Sequence, residues 1–345
     1  MIRRAFEPLE PRIRSAGTKS PRWARIYYAF FHGGFGREQQ AVLAGRRSYR
    51  RSLASPDGTS TILRRNVHRL EKGLLMRPRR VPFALDYIEE TVDAYARCCA
   101  ESTAIDPTEL QWGHDVLSEY FAANDGQPEI QELKDTFFRA GSTCAVAERN
   151  GERMIPYRRN LTAPPPVTIE ALADLAQRRR SVRWFLQKPV DRAVIDRALE
   201  VAAQAPSACN RQPFEFRIFD EPELVQKVVN IPFGLAGYGH NVPVAVVVVG
   251  KQRHYFDERD RHLIYIDASL AVMGFLYALE ASGLASCCVN WPDIEGKEER
   301  MAELLALEPD ERPVMLVVLG HPDPDGKVAR STKKNLSQLR RYNFE

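Results

Sequence analysis

Cysteine is scarce in this chain: six in 345 residues, as Cys98-Cys99, Cys144, Cys209 and Cys287-Cys288. That is too few for a disulfide scaffold, and no C-x-x-C pair offers a zinc site or a redox dithiol. The expectation is reduced, buried thiols in a cytoplasmic protein without a metal site. No apolar run approaches the ~18–20 residues of a membrane-spanning helix. Basic residues near the start, Met1-Ile2-Arg3-Arg4-Ala5-Phe6-Glu7-Pro8, are followed by no apolar stretch, so a secretory signal is not expected. A G-x-S-x-G elbow is missing, which leaves His32-Gly33-Gly34-Phe35-Gly36 without meaning as a hydrolase loop. A Rossmann fingerprint is missing too: Gly234, Gly237 and Gly239 have the wrong spacing and come after no strand–turn–helix start. There is no internal repeat.

The charge, by contrast, is uneven. The 49 Lys+Arg and 45 Asp+Glu give +4, but residues 1–80 hold 19 basic against 5 acidic, 81–150 hold 4 against 14, and 151–345 balance at 26 each. A basic head therefore precedes an acidic stretch and a neutral body. Three segments are expected: a basic irregular segment over 1–60, a helical extension over 61–160, and a domain over 161–345. Within the first lies an aromatic island (Trp23, Ile26, Tyr27, Tyr28, Phe30, Phe31, Phe35) flanked by Arg22, Arg25 and Arg37. Two readings stay open: contact with an anionic membrane interface, or packing on the protein's own body or a partner subunit. The head has no recognisable nucleic-acid motif, so nucleic acid is not expected as a partner.

Helical spacing marks Ile62–Leu75, Phe83–Cys99, Pro107–Ala123 and Ile130–Glu148. His68-Arg69-Leu70-Glu71-Lys72-Gly73-Leu74 with Arg77-Pro78-Arg79-Arg80 reads either as an anion-binding edge or as a solvated helix end. Ala163-Pro164-Pro165-Pro166 breaks the pattern. Beyond it, Thr168 and Asp191 can cap helices. Phe214–Phe219, Val242–Val249, Ser286–Trp291 and Val314–Leu319 read as strands. A helix over Asp267–Ser282 is apolar almost all round, so it is expected to be buried, against the body or a second subunit.

Three segments carry candidate chemistry. Arg179-Arg180-Ser181-Val182-Arg183 gathers three guanidiniums and a hydroxyl, a set suited to phosphate, although basic helix ends are common. Ala205-Pro206-Ser207-Ala208-Cys209-Asn210-Arg211-Gln212-Pro213 is a proline-braced loop with neutral donors and acceptors, suited to a planar polar ring or simply a structured turn. Gly283 to Trp291 runs a helix stop directly into a strand.

In this order and spacing, R-R-S-x-R, A-P-S-x-x-N-x-Q-P, G-L-x-S-C and the basic tail Arg330-Ser331-Thr332-Lys333-Lys334 resemble the FMN-dependent nitroreductase family over about residues 168–345. The resemblance implies an α+β fold, a mixed and mainly antiparallel sheet flanked by helices, in an intertwined homodimer with FMN at the interface. It implies that Arg179, Arg180, Ser181 and Arg183 contact FMN. Pro206, Ser207, Ala208, Asn210 and Gln212 would meet the flavin held chiefly by the other subunit. Val289, Asn290 and Trp291 would lie beside the ring, with Trp291 narrowing the substrate pocket, and Arg330 and Lys333 would close the phosphate site. No protein side chain is expected to be catalytic, since the chemistry belongs to the flavin. NAD(P)H would donate hydride in a ping-pong course, and a small nitro, quinone or enone-like acceptor would take it.

Cys209, His240 and His262 are read as structural or surface residues. The rival reading is a non-catalytic flavoprotein or scaffold acting through residues 1–80 at a membrane surface or partner. The HRLEKGL–RPRR stretch resembles extensions of nitroreductase-like proteins associated with polysaccharide biosynthesis.

Overall fold

The computed structural model describes residues 14–15, 17–53, 58–101, 105–144 and 153–343. The expectations for residues 1–8 and 145–148 lie outside them.

The segment expected to be irregular contains two helices, α1 (Pro21–Phe30) and α2 (Gly36–Ser52). Ser20 caps α1 and Pro21 opens it. In α2 the apolar stripe is thin, with only Ala41, Val42, Gly45 and Tyr49 buried. Arginines, good helix formers, fill much of the rest and hide the periodicity. α2 lies against the Gln252–His254 turn so closely that a Cβ on Gly45 would come within 2.5 Å of Gln252 Cβ. Arg37 and Arg46 pair with Glu295 and Glu258, and Tyr49 packs on Phe256. α2 thus lies on the body of the protein.

Helices α3 (Thr61–Leu75), α4 (Ile88–Ala100), α5 (Pro107–Ala123) and α6 (Gln131–Thr143) enclose their own core, including Leu63, Leu70, Tyr95, Leu117 and Phe137. α4 starts five residues later than its periodicity predicts. Ala84 is left-handed at φ 62°, and Phe83 is held against Gly73 and Tyr120 instead of entering the helix.

α7 (Ile169–Arg178) and α8 (Arg192–Ala202) come next, capped by Thr168 and Asp191 as expected. The sheet contains β1 (Phe214–Phe219), β2 (Val244–Lys251), β3 (Ala285–Val289) and β4 (Glu311–Gly320), in the order β1-β2-β4-β3. Every neighbouring pair is antiparallel. Among the described residues, the one parallel bridge to the sheet joins Ser181 to Ser286. β2 is buried on both faces: Ala245, Val247 and Val249 face α9 (Pro222–Val229) and α11 (Glu295–Leu305), while Val244, Val246 and Val248 face α8 and α10 (Leu263–Ala281). The fold is α+β, two helical layers around an antiparallel sheet.

α10 corrects the expectation that no segment reaches span length: Glu258–Ala281 is long and apolar enough by length and composition. It lies on the sheet through Ala268, Val272, Phe275 and Leu279. Its opposite face exposes Ile266, Leu270 and Met273, so the helix is only half covered.

Candidate functional site

The first and third candidate segments meet at the sheet edge. α7 ends at Arg178, which pairs with Glu280 near the end of α10 at 2.8 Å. The chain then extends along β3, where Val182 N–H donates to the Ser286 carbonyl at 3.0 Å. Asn241 fixes residues 183–185: its Oδ1 accepts from Phe185 N at 2.8 Å and its Nδ2 donates to the Arg183 carbonyl at 3.0 Å. Arg179 and Arg180 are half-buried and Arg183 is exposed. Among the described residues no carboxylate comes within 4.0 Å of these three guanidiniums; Arg183 lies instead 5.8 Å from the Tyr238 ring. Burial pushes the Tyr238 phenol up to about 12, and its hydroxyl lies 3.9 Å from Cys287 Sγ. Arg179, Arg180 and Arg183 are thus without counter-charge among the described residues, and with the Ser181 hydroxyl they are donor types that suit a phosphate.

The second segment lies elsewhere. At its turn, Ala208–Asn210, Cys209 and Asn210 are left-handed at φ 54° and 52°, and beyond Arg211 at φ −79° Gln212 is left-handed again at φ 48°, none of them glycine. Asp267, near the start of α10, accepts from Ala208 N at 2.9 Å and from the Tyr255 hydroxyl at 3.0 Å. Burial raises the pKa of both side chains. Gln212 N–H donates to Ser207 Oγ at 3.1 Å. Arg64 of α3 donates to the Asn210 carbonyl and to Gln212 Oε1. Asp267 and Glu280 are thirteen residues apart on α10, about 20 Å at helical rise. Within one chain, the loop and the arginine cluster therefore stand at opposite ends of that helix.

The remaining predicted residues divide. Val289 belongs to the core and Asn290 is exposed at the end of β3. The Trp291 ring, expected to narrow a pocket, is turned into the protein. Its indole is buried and its N–H donates to Glu298 of α11, whose other oxygen accepts from Arg312 at 3.0 Å. A buried indole N–H needs an acceptor, and Glu298 turns the ring inward. The tail begins beside residues 184–186, through Leu186 N to the His321 carbonyl and Asp323 N to the Trp184 carbonyl. Arg330 and Lys333 lie further on, exposed and with no partner among the described residues.

Residues 176–236 and 225–321 match the family model described as "Nitroreductase family". The chain carries a nitroreductase-family domain. The matched stretch includes the arginine cluster, the proline-braced loop and β3; Arg330 and Lys333 lie beyond it. An iodotyrosine deiodinase of Drosophila melanogaster is 27% identical over 211 residues, half of this chain and 70% of that protein. The human iodotyrosine deiodinase 1 is 24% identical, across 48% of this chain and 66% of its own length. A Methanothermobacter thermautotrophicus protein named as an NADH dehydrogenase/NAD(P)H nitroreductase is 26% identical over 42% of this chain and 73% of its own length. An FMN-dependent nitroreductase structure from Clostridium difficile aligns with 49% of this chain and 98% of its own, at 21% identity and TM-score 0.42.

Four residues that hold the candidate site of this nitroreductase-family domain escape sequence reasoning: Arg64, Asn241, Tyr255 and Asp267. Only Asp267 leaves a local trace, as an acid at the head of an apolar helix.

Proposed function

We propose that the nitroreductase-family domain is an FMN-dependent oxidoreductase that passes electrons from NAD(P)H to a small organic acceptor in a ping-pong course. The observation that carries this reading is the uncompensated trio Arg179, Arg180 and Arg183 against edge strand β3. A flavin phosphate brings up to two negative charges, and each guanidinium at contact contributes ~1 kcal/mol even in water. When bound, FMN supplies hydride chemistry that no side chain of this chain can perform.

The chain's own residues then have binding and orienting tasks. Arg179, Arg180, Ser181 and Arg183 hold the phosphate, with Arg330 and Lys333 closing over it. The backbone of Val289, Asn290 and Trp291 borders the ring. Pro206, Ser207, Ala208, Asn210 and Gln212 serve the flavin of a second copy in a homodimer. The ~20 Å between loop and cluster supports that division, because one chain does not bring them together. The exposed apolar stripe Ile266, Leu270, Met273 on α10 supports a second copy as its cover. Nitro, quinone and enone acceptors are the first to try, and the deiodinase relatives add halogenated aromatics.

The test is reduction of the purified, FMN-loaded protein without oxygen. Bleaching of the flavin absorbance on adding NADH or NADPH, and its return on adding an acceptor, is the expected result. A protein that takes up no FMN contradicts the reading.

A further inference from the structure

We propose that the connection between α3 and α4, residues 75–85, docks this protein on an anionic lipid surface. Along the connection, exposed aliphatic residues come before and after a basic run. Leu75 and Met76, before it, are each 55% exposed; Val81 and Leu85, after it, are 52% and 50% exposed. Between them lie Arg77, Arg79 and Arg80, with Lys72 one turn back on α3, all exposed. Among the described residues none of these four cations has a carboxylate within 4.0 Å. The nearby acids are engaged or few: Asp86 faces Arg69 at 3.5 Å, Glu71 faces His68 and Trp112, and Glu89 is exposed.

The base of this connection is fixed. Phe83 lies over Gly73 so tightly that a Cβ there would meet its ring at 2.1 Å. The Tyr120 hydroxyl donates to the Phe83 carbonyl at 2.8 Å, and the Arg69 guanidinium lies 3.5 Å from the Tyr87 ring centroid. A pinned base presents the basic run without a large ordering cost on binding.

Charge complementarity selects the occupant. Free guanidiniums suit anionic headgroups, and interleaved aliphatic side chains suit the acyl boundary beneath them. Single-stranded nucleic acid would call for exposed rings to stack on bases, and the one ring here, Phe83, is turned inward. This inference is independent of the flavin reading.

Flotation of the full chain with phosphatidylcholine vesicles, with and without 30% phosphatidylglycerol, at low and moderate salt, tests it. Partition is expected only with the anionic vesicles and is expected to weaken as salt rises. Arg77→Gln/Arg79→Gln/Arg80→Gln should lower it about 100-fold, at about 5-fold per charge. Met76→Ser/Val81→Ser/Leu85→Ser should lower it as well, with melting temperatures of both variants unchanged. No flotation at low salt, or undiminished flotation of either triple variant, overturns the proposal. Retention by the serine variant alone would mean binding of anions without insertion, which also overturns it.

Discussion

Arg64 on α3 reaches the loop after α8, donating to the Asn210 carbonyl at 3.1 Å while pairing with the buried Glu109 at 2.9 Å. One arginine of the N-terminal helices thus holds a loop whose left-handed residues are strained by roughly 1–2 kcal/mol each. Arg64→Ala should destabilise the protein by about 3 kcal/mol, largely because Glu109 loses its cation. Glu109 retains Thr59 Oγ1 and Ser60 N–H as donors, so Arg64→Ala/Glu109→Gln should recover part of that loss. Denaturant melts of the four proteins in the cycle read it directly. FMN affinity should fall with Arg64→Ala even where folding is recovered.

Asp267 makes the matching prediction from the other side of the loop. Asp267→Ala leaves Ala208 N–H and the Tyr255 hydroxyl without their acceptor. A loss of about 1–3 kcal/mol is expected in thermal or denaturant melts. Asp267→Asn keeps an acceptor oxygen and should lose less.

Gly45 reverses the usual helix rule. Gly→Ala inside a helix commonly stabilises by ~1 kcal/mol. At Gly45 the new Cβ would come within 2.5 Å of Gln252 Cβ and 2.7 Å of its backbone carbon, so Gly45→Ala should destabilise. Limited proteolysis should then cut α2 sooner, since its docking on the Gln252–His254 turn is what the substitution pries apart.

His254 gives that docking a pH dependence. Burial pushes its pKa down to about 3, and its ring stands 3.4 Å from the Thr61 hydroxyl. The folded protein holds this imidazole neutral while the unfolded chain protonates it near pH 6.5. Stability from this group is therefore whole above pH 6.5 and falls as pH drops toward 3, by up to ~1.4 kcal/mol per pH unit. His254→Gln should flatten the stability profile between pH 6.5 and 5, a window above ordinary carboxylate titration.

Local signals made much of the domain legible. Thr168 and Asp191 cap their helices where their hydroxyl and carboxylate predict, and the alternation in Phe214–Phe219 fixes β1 to the residue. Non-local packing hid the rest. α2 is held in place by contact with residues some 200 positions later, and its arginines mask the stripe that docks. Ala84 leaves the helical region because Phe83 is claimed by Gly73 and Tyr120. Trp291 turns inward because Glu298, seven residues on, gives it a buried acceptor. The arginine cluster and β3 were recognisable as neighbours only through family resemblance, since Val182 and Ser286 are far apart in sequence. Arg64, 146 residues from Asn210, left no trace at all.

Titration of the unliganded protein with FMN, comparing wild type with Arg179→Ala/Arg183→Ala, tests the central claim most directly. The trio is expected to hold the phosphate, so the variant should keep its melting temperature and bind FMN at least tenfold more weakly, at ~1 kcal/mol or more per guanidinium. Equal affinity for the two proteins, or no FMN binding by the wild type, would contradict the account.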